Sequence, residues 1–207
     1  MLKIENLSKR FGKKIIFEDI NLELKKGDLV HFFGPNGSGK STLFKMIVDI
    51  LSPDKGRIII ESGKHIGASI ENPGFIENET ILYNLKYLYS LLNVYNMDAE
   101  EKIKELCNQF NLDLYSKEKM KNYSVGMRQK VAIIQAVMEN QDIILLDEPT
   151  RGLDQEGINQ FYELINNYHK KKNKVIIIAS HDLMNKLPYT KKLIIKDFKI
   201  YDKKNSW

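Results

Sequence analysis

The sequence has little cysteine, proline or arginine, and no long apolar run. One cysteine, Cys107, is present in 207 residues, so no internal disulfide can form, which fits a reducing compartment. The longest apolar stretches, such as Ile143 to Leu146 and Val175 to Ala179, are strand-sized and far short of the roughly 18 to 20 residues of a spanning helix. The opening Met-Leu-Lys-Ile-Glu carries no apolar signal segment, so the chain is expected to stay where it is made. Of 32 basic residues only Arg10, Arg57, Arg128 and Arg151 are arginines, and arginine is the residue favoured for bidentate contacts to phosphates and bases. The net charge of +5 therefore reads as lysine bias of the kind A/T-rich codons produce, and no direct nucleic-acid contact is expected. The lysine run Lys170 to Lys174 reads as a solvated loop. His31, His65 and His169 show no metal-ligand spacing. What remains is 43% hydrophobic and 29% charged, the balance of one globular domain with enough apolar surface to offset its lost conformational entropy.

Along the chain no repeat or linker divides the sequence, so residues 1–207 read as one domain. Leu2, Ile4, Ile16, Ile20, Leu22 and Leu24, with turns at Gly12 and Gly27, predict a small antiparallel β region. Asp28 to Phe33 predicts a buried strand that runs into a glycine loop and then a helix containing Leu43, Phe44, Ile47 and Val48; Arg57 to Ile60 predicts a further strand. From about Thr80 to Phe110 the pattern turns helical: Leu82, Leu85, Leu88, Tyr89 and Leu92 share one face, and Ile103, Leu106, Cys107 and Phe110 repeat the spacing. Cys107 on that face reads as core. A helix from about Ser124 to Glu139, a strand from Asp142 to Leu146, a helix from Gln155 to Lys170, a strand from Lys174 to Ala179 and a short end at Leu193 to Ile195 complete the pattern. Apolar strands alternating with helices predict an α/β fold with a mainly parallel sheet covered on both faces. The helical block, about residues 76–138, reads as a subdomain inserted into that framework.

Gly34-Pro35-Asn36-Gly37-Ser38-Gly39-Lys40-Ser41-Thr42 carries the spacing G-x-x-x-x-G-K-S of a phosphate-binding loop. Glycines allow the turn and the close approach of a polyanion that a Cβ would block. Lys40 would reach the β- and γ-phosphates, Ser41 would offer its hydroxyl to Mg²⁺, and the helix behind adds the positive end of its dipole. In this composition the four fixed positions arise by chance in roughly one chain of this length in 150; the strand before and helix after reduce that further. Ile143 to Leu146 ends in Asp147 and Glu148. Acidic residues often mark where a buried strand leaves the core, but beside a phosphate loop Asp147 would hold Mg²⁺ and Glu148 would take the proton of an attacking water.

Together with Tyr123-Ser124-Val125-Gly126-Met127-Arg128-Gln129-Lys130, these motifs resemble the ATP-binding subunits of ABC transporters. The resemblance covers nearly the whole chain. It implies a P-loop NTPase core that binds ATP and Mg²⁺, with Phe11 stacking on adenine. It implies that Ser124, Val125, Gly126 and Met127 close over the γ-phosphate held by an opposite subunit; Ser124 is a good N-cap, and the N–H groups behind it form an anion site. It also implies that Asp154 of Gly152-Leu153-Asp154 lies between subunits and that His181 acts as the switch histidine.

Two departures stand out. Val125 stands where the family has glycine and Met127 where glutamine is common. No glutamine occurs between Leu43 and Asn108, so the metal-contacting glutamine of the family has Glu71 as its substitute, unless Glu71 is a plain surface carboxylate. Glu71-Asn72-Pro73-Gly74-Phe75 is similar to the branch associated with bacitracin and lantibiotic export and self-protection. The resemblance thus implies an ATPase at the cytoplasmic face of the cell membrane, pairing head-to-tail with a second copy or a homologous subunit. It would drive an integral membrane permease docked near Phe75 to Tyr87. The alternatives are a soluble ATPase of the same fold acting on nucleic acid or ribosomes, and a catalytically weakened regulatory ATPase, against which Lys40, Asp147, Glu148 and His181 are all present.

Overall fold

The computed structural model describes residues 1–71, 74–181 and 186–202; Asn72 and Pro73 of the Glu-Asn-Pro-Gly-Phe run lie outside them. In chain order the elements are β1 (Leu2–Phe11), β2 (Lys14–Leu24), β3 (Leu29–Phe33), α1 (Lys40–Ile47), β4 (Lys55–Ile60), β5 (Ile66–Ser69), α2 (Ile81–Ser90), α3 (Met97–Gln109), α4 (Val125–Val137), β6 (Ile143–Asp147), α5 (Gln155–Lys170), β7 (Val175–Ser180), β8 (Lys191–Lys196) and β9 (Lys199–Asp202).

Two sheets organise them. The hairpin β1–β2 turns at Gly12, whose φ of 57° favours glycine. With β4 on the other edge of β1 it forms an antiparallel sheet of order β2-β1-β4. The second sheet has the order β5-β6-β7-β3-β8-β9 and is parallel except for the β8–β9 hairpin. Its central strands carry no polar alternation because both faces are covered. Ile143 and Leu145 of β6, with Val175, Ile177 and Ala179 of β7, pack with α1 and the antiparallel sheet. Ile144, Leu146, Ile176 and Ile178 pack with α2 to α5 on the opposite face.

The register decides where chemistry can occur. Asp147 pairs with Ala179, and Phe33 with Ser180, so β3, β6 and β7 end side by side at one carboxyl edge, where ligands bind in open α/β sheets. The helices start where capping chemistry tells them to: Thr80, Asn96, Ser124 and Asp154 each accept a backbone N–H three residues on. Two expectations fail. The helical face does not continue through Leu92, because α2 ends at Ser90 and a new helix begins behind Asn96; Leu92 is left 70% exposed. Lys174 is not a solvated loop residue. It is buried, its Nζ donating to Asn140 Oδ1 (2.9 Å) and the Gln141 carbonyl (2.5 Å), and burial pushes its ammonium down to about 8.

Candidate functional site

The glycine loop joins β3 to α1. Gly37 (φ 80°) and Gly39 (φ 105°) occupy the left-handed region. A Cβ on Gly39 would lie 2.8 Å from both Ile16 and Phe17, and one on Gly34 2.6 Å from Ser38 Oγ. Lys40 folds back into the loop, its Nζ donating to the carbonyls of Gly34 (2.7 Å) and Pro35 (3.2 Å), and its side chain is only 6% exposed. A lysine held on loop carbonyls sits at the centre of the loop as a fixed cation for a polyphosphate.

The acidic end of β6 approaches from the next strand but one. Ser41 Oγ donates to Asp147 Oδ2 at 2.5 Å, while Asp147 Oδ1, buried, has no hydrogen-bond partner. Burial raises the Asp147 carboxyl above the usual carboxylate range; the Ser41 bond opposes that and neighbouring Glu148 adds to it. Glu148 has a φ of 47°, and its N–H donates to the Ala179 carbonyl (2.8 Å). That turn leaves its carboxylate between two cations or hydrogen-bond donors: Oε1 is 3.7 Å from Lys40 Nζ, and Oε2 2.9 Å from His181 Nδ1. His181 follows β7 directly, so the parallel pairing of β6 with β7 brings it to Glu148.

Lys40, Ser41, Asp147 and Glu148 share a cleft of about 580 Å³ whose walls include Phe11, Asn36, Thr42 and Glu71, while His181 is tied to it through Glu148. Phe11 is half exposed, with Lys9 Nζ 5.4 Å from its ring centroid. The oxygens of Ser41 and Asp147, one of them buried and unpartnered, are the hard donors that Mg²⁺ takes, so the residues present fit that ion. Glu71 lines the same cleft, but its Oε1 accepts from Lys45 Nζ at 2.7 Å.

Ser124, Val125, Gly126, Met127 and Asp154 do not line this cleft. Ser124 caps α4 by accepting from Met127 N (3.2 Å), and Val125 is 71% exposed. Gly126 lies against the Gly152 carbonyl, 2.6 Å from where its Cβ would be, so the signature segment and the Gly152–Asp154 loop form one surface. Asp154 caps α5 by accepting from Gly157 N (2.8 Å). The cleft also includes Lys14, Ile16, Gln129 and Arg151, which sequence reasoning did not select. Gln129 lies inside the quoted signature segment; Arg151 follows the acidic strand end with no motif to mark it.

The profile of the ABC transporter family matches residues 17–151, a span that includes the glycine loop, the signature segment, Asp147 and Glu148. The chain belongs to the ABC transporter family. It is an ABC ATP-binding domain, related to the ATP-binding proteins of lantibiotic and bacitracin transport. The lantibiotic transport ATP-binding protein SrtF of Streptococcus pyogenes is 35% identical over 190 residues, 88% of this chain and 81% of SrtF. The bacitracin transport ATP-binding protein BcrA of Bacillus licheniformis is 31% identical over 193 residues, 88% of this chain and 62% of BcrA. The chain spans 61 to 62% of the length of several relatives it matches. Among solved structures, a dimeric bacterial ABC transporter cassette, MJ0796, superposes with a TM-score of 0.84 at 26% identity, covering 97% of this chain and 96% of that one. The same cassette is known in a post-hydrolysis state bound to ADP and Pi. No helix among the described residues of this ABC ATPase is long and apolar enough to cross a membrane.

Proposed function

We propose that this ABC ATPase hydrolyses ATP at the cytoplasmic face of the cell membrane. In this reading it pairs head-to-tail with a second copy or a homologous subunit, and so powers a separate permease that exports a peptide antibiotic or another drug-like substrate. The observation that carries the reading is the meeting of Lys40, Ser41, Asp147, Glu148 and His181 where β3, β6 and β7 end together.

The phosphates would lie on the N–H groups of the glycine loop, with Lys40 donating to the β- and γ-oxygens and Phe11 stacking on the base. Ser41 and Asp147 would hold Mg²⁺, with Glu71 adding an oxygen when it leaves Lys45; bound there, the ion neutralises charge on the transferring phosphoryl group. The Glu148 carboxylate would accept the proton of the attacking water, and His181, hydrogen-bonded to it, would orient it and donate toward the γ-phosphate. Ser124 to Met127 of the second subunit would complete the site, with Asp154 beside them at the interface. ATP then joins the two copies and hydrolysis releases them, moving a permease docked near Phe75 to Tyr87.

Glu148→Gln tests the chemistry. It keeps the shape and removes the base, so ATP binding is retained, turnover falls by about 10²- to 10⁴-fold and an ATP-bound dimer accumulates on size-exclusion chromatography. Full turnover in that variant overturns the assignment.

A further inference from the structure

The segment that follows β5 and the segment that precedes α4 are bound together outside the cleft. Met120 N donates to the Glu79 carbonyl (2.9 Å), Lys121 N to the Glu77 carbonyl (3.0 Å), and Thr80 bridges to Lys119. Lys121 Nζ donates to Asn78 Oδ1 (3.1 Å) across this seam, and Arg128 reaches across it to Glu77. Arg128, in the first turn of α4, donates from Nη1 to Glu77 Oε2 (2.8 Å) and from Nη2 to Glu77 Oε1 (2.6 Å). Nη1 also donates to the Met120 carbonyl (2.9 Å), and the guanidinium lies 5.8 Å from the centroid of the buried Phe75 ring. The Arg128 N–H donates in turn to the Ser124 carbonyl (2.9 Å), closing the first turn of the helix that Ser124 caps.

A two-pronged guanidinium–carboxylate pair fixes orientation as well as distance, which a single contact does not. An ion pair this exposed adds little to global stability, so its consequence is local: it sets the angle at which the first turn of α4 leaves the seam. That turn carries Ser124 and Gly126. We infer that Arg128, held by Glu77, is a positioning residue that aims the Ser124 helix start at the γ-phosphate of the opposite subunit. It ties that aim to the position of Phe75 to Glu79. This rests on the two-subunit site of the proposed function and adds to it an internal strut with named ends. Movement of Phe75 would be felt at Ser124 through three connections: ring to guanidinium, guanidinium to Glu77 and Met120, and helix turn to cap.

The test uses the full chain in the Glu148→Gln background, where ATP-induced dimerisation is read by analytical ultracentrifugation and ATP affinity of the dilute monomer by a fluorescent analogue. Arg128→Met and Glu77→Gln are expected to weaken dimerisation about tenfold, the scale of a lost charge-assisted pair, with monomer ATP affinity unchanged. Arg128→Lys, which keeps the charge without the fork, is expected to recover only part of the loss. The exchanged pair Glu77→Arg with Arg128→Glu should restore more than either reversal alone. Dimerisation at parental strength in Arg128→Met overturns the inference, as does a loss that the exchanged pair deepens. If the parent stays monomeric with saturating ATP, it is the two-subunit reading that fails. The strut is then decided by hydrogen exchange of residues 123–128 in Arg128→Met: faster exchange there with an unchanged melting temperature upholds it, and unchanged exchange overturns it.

Discussion

Burial works against the charge of Asp147 and the fold tolerates it. Its carboxyl is raised above the ordinary range chiefly by loss of water, with Glu148 adding repulsion. A carboxyl whose folded pKa exceeds the unfolded one destabilises the folded chain once it ionises: the penalty is absent below the unfolded value near 3.8 and grows as pH rises through the folded value. Asp147→Asn keeps the acceptor for Ser41 and removes the charge. At pH 7, without nucleotide, it should melt at a higher temperature than the parent. The gain should shrink as pH is lowered toward 4, and Mg²⁺-dependent ATP hydrolysis should be lost. A melting temperature equal to or below that of the parent at pH 7 removes the argument. Improved stability with lost activity is the pattern expected where a site is held against the preference of the fold.

At the scale of elements, α2 depends on a residue that its apolar pattern does not announce. Asn84 is buried on the inner face, accepting from Ile76 N (2.7 Å) and donating to the carbonyls of Ile76 (3.2 Å) and Thr80 (3.0 Å). It pins the strand-to-helix segment onto the helix it feeds. Asn84→Leu matches the volume and leaves the Ile76 N–H unpaired, so the urea midpoint should fall by the equivalent of about 1 to 3 kcal/mol with an unchanged slope; a midpoint within error of the parent contradicts it. The same contrast describes what could be read from sequence. The glycine loop, the acidic end of β6 and the cap at Ser124 are local, each needing only neighbouring residues, and the parallel order of β6, β7 and β3 brings the first two to one edge. Leu92 leaves the apolar face because α2 ends at Ser90 and α3 starts behind the Asn96 cap, a break that periodicity does not see. Lys174 is buried because its partners, Asn140 and Gln141, come from the distant loop between α4 and β6. Lys45 on Glu71, Glu77 on Arg128 and the entry of Arg151 into the cleft are likewise pairings across the chain, set by tertiary packing and invisible to spacing.

For the whole molecule, the two packed faces of one sheet place the halves of the chemistry apart. One copy holds the glycine loop, Asp147 and Glu148 within its own cleft, while Ser124 to Met127 lie outside that cleft with Val125 exposed. A dimeric relative of the same fold shows that two such cassettes associate. If the second copy completes the site, hydrolysis per subunit cannot be independent of protein concentration. At saturating ATP and Mg²⁺ the turnover per subunit of the isolated chain should rise in proportion to concentration while dimers are scarce, then level off once most chains are paired. Mixing an inactive Lys40→Ala chain into a fixed amount of parent should change the rate through mixed pairs, each of which retains one intact phosphate loop and both sets of trans groups. A rate strictly proportional to enzyme from nanomolar to micromolar concentration, unaffected by the Lys40→Ala chain, would mean that one copy holds everything the reaction needs. Ser124 would then be only the cap of α4.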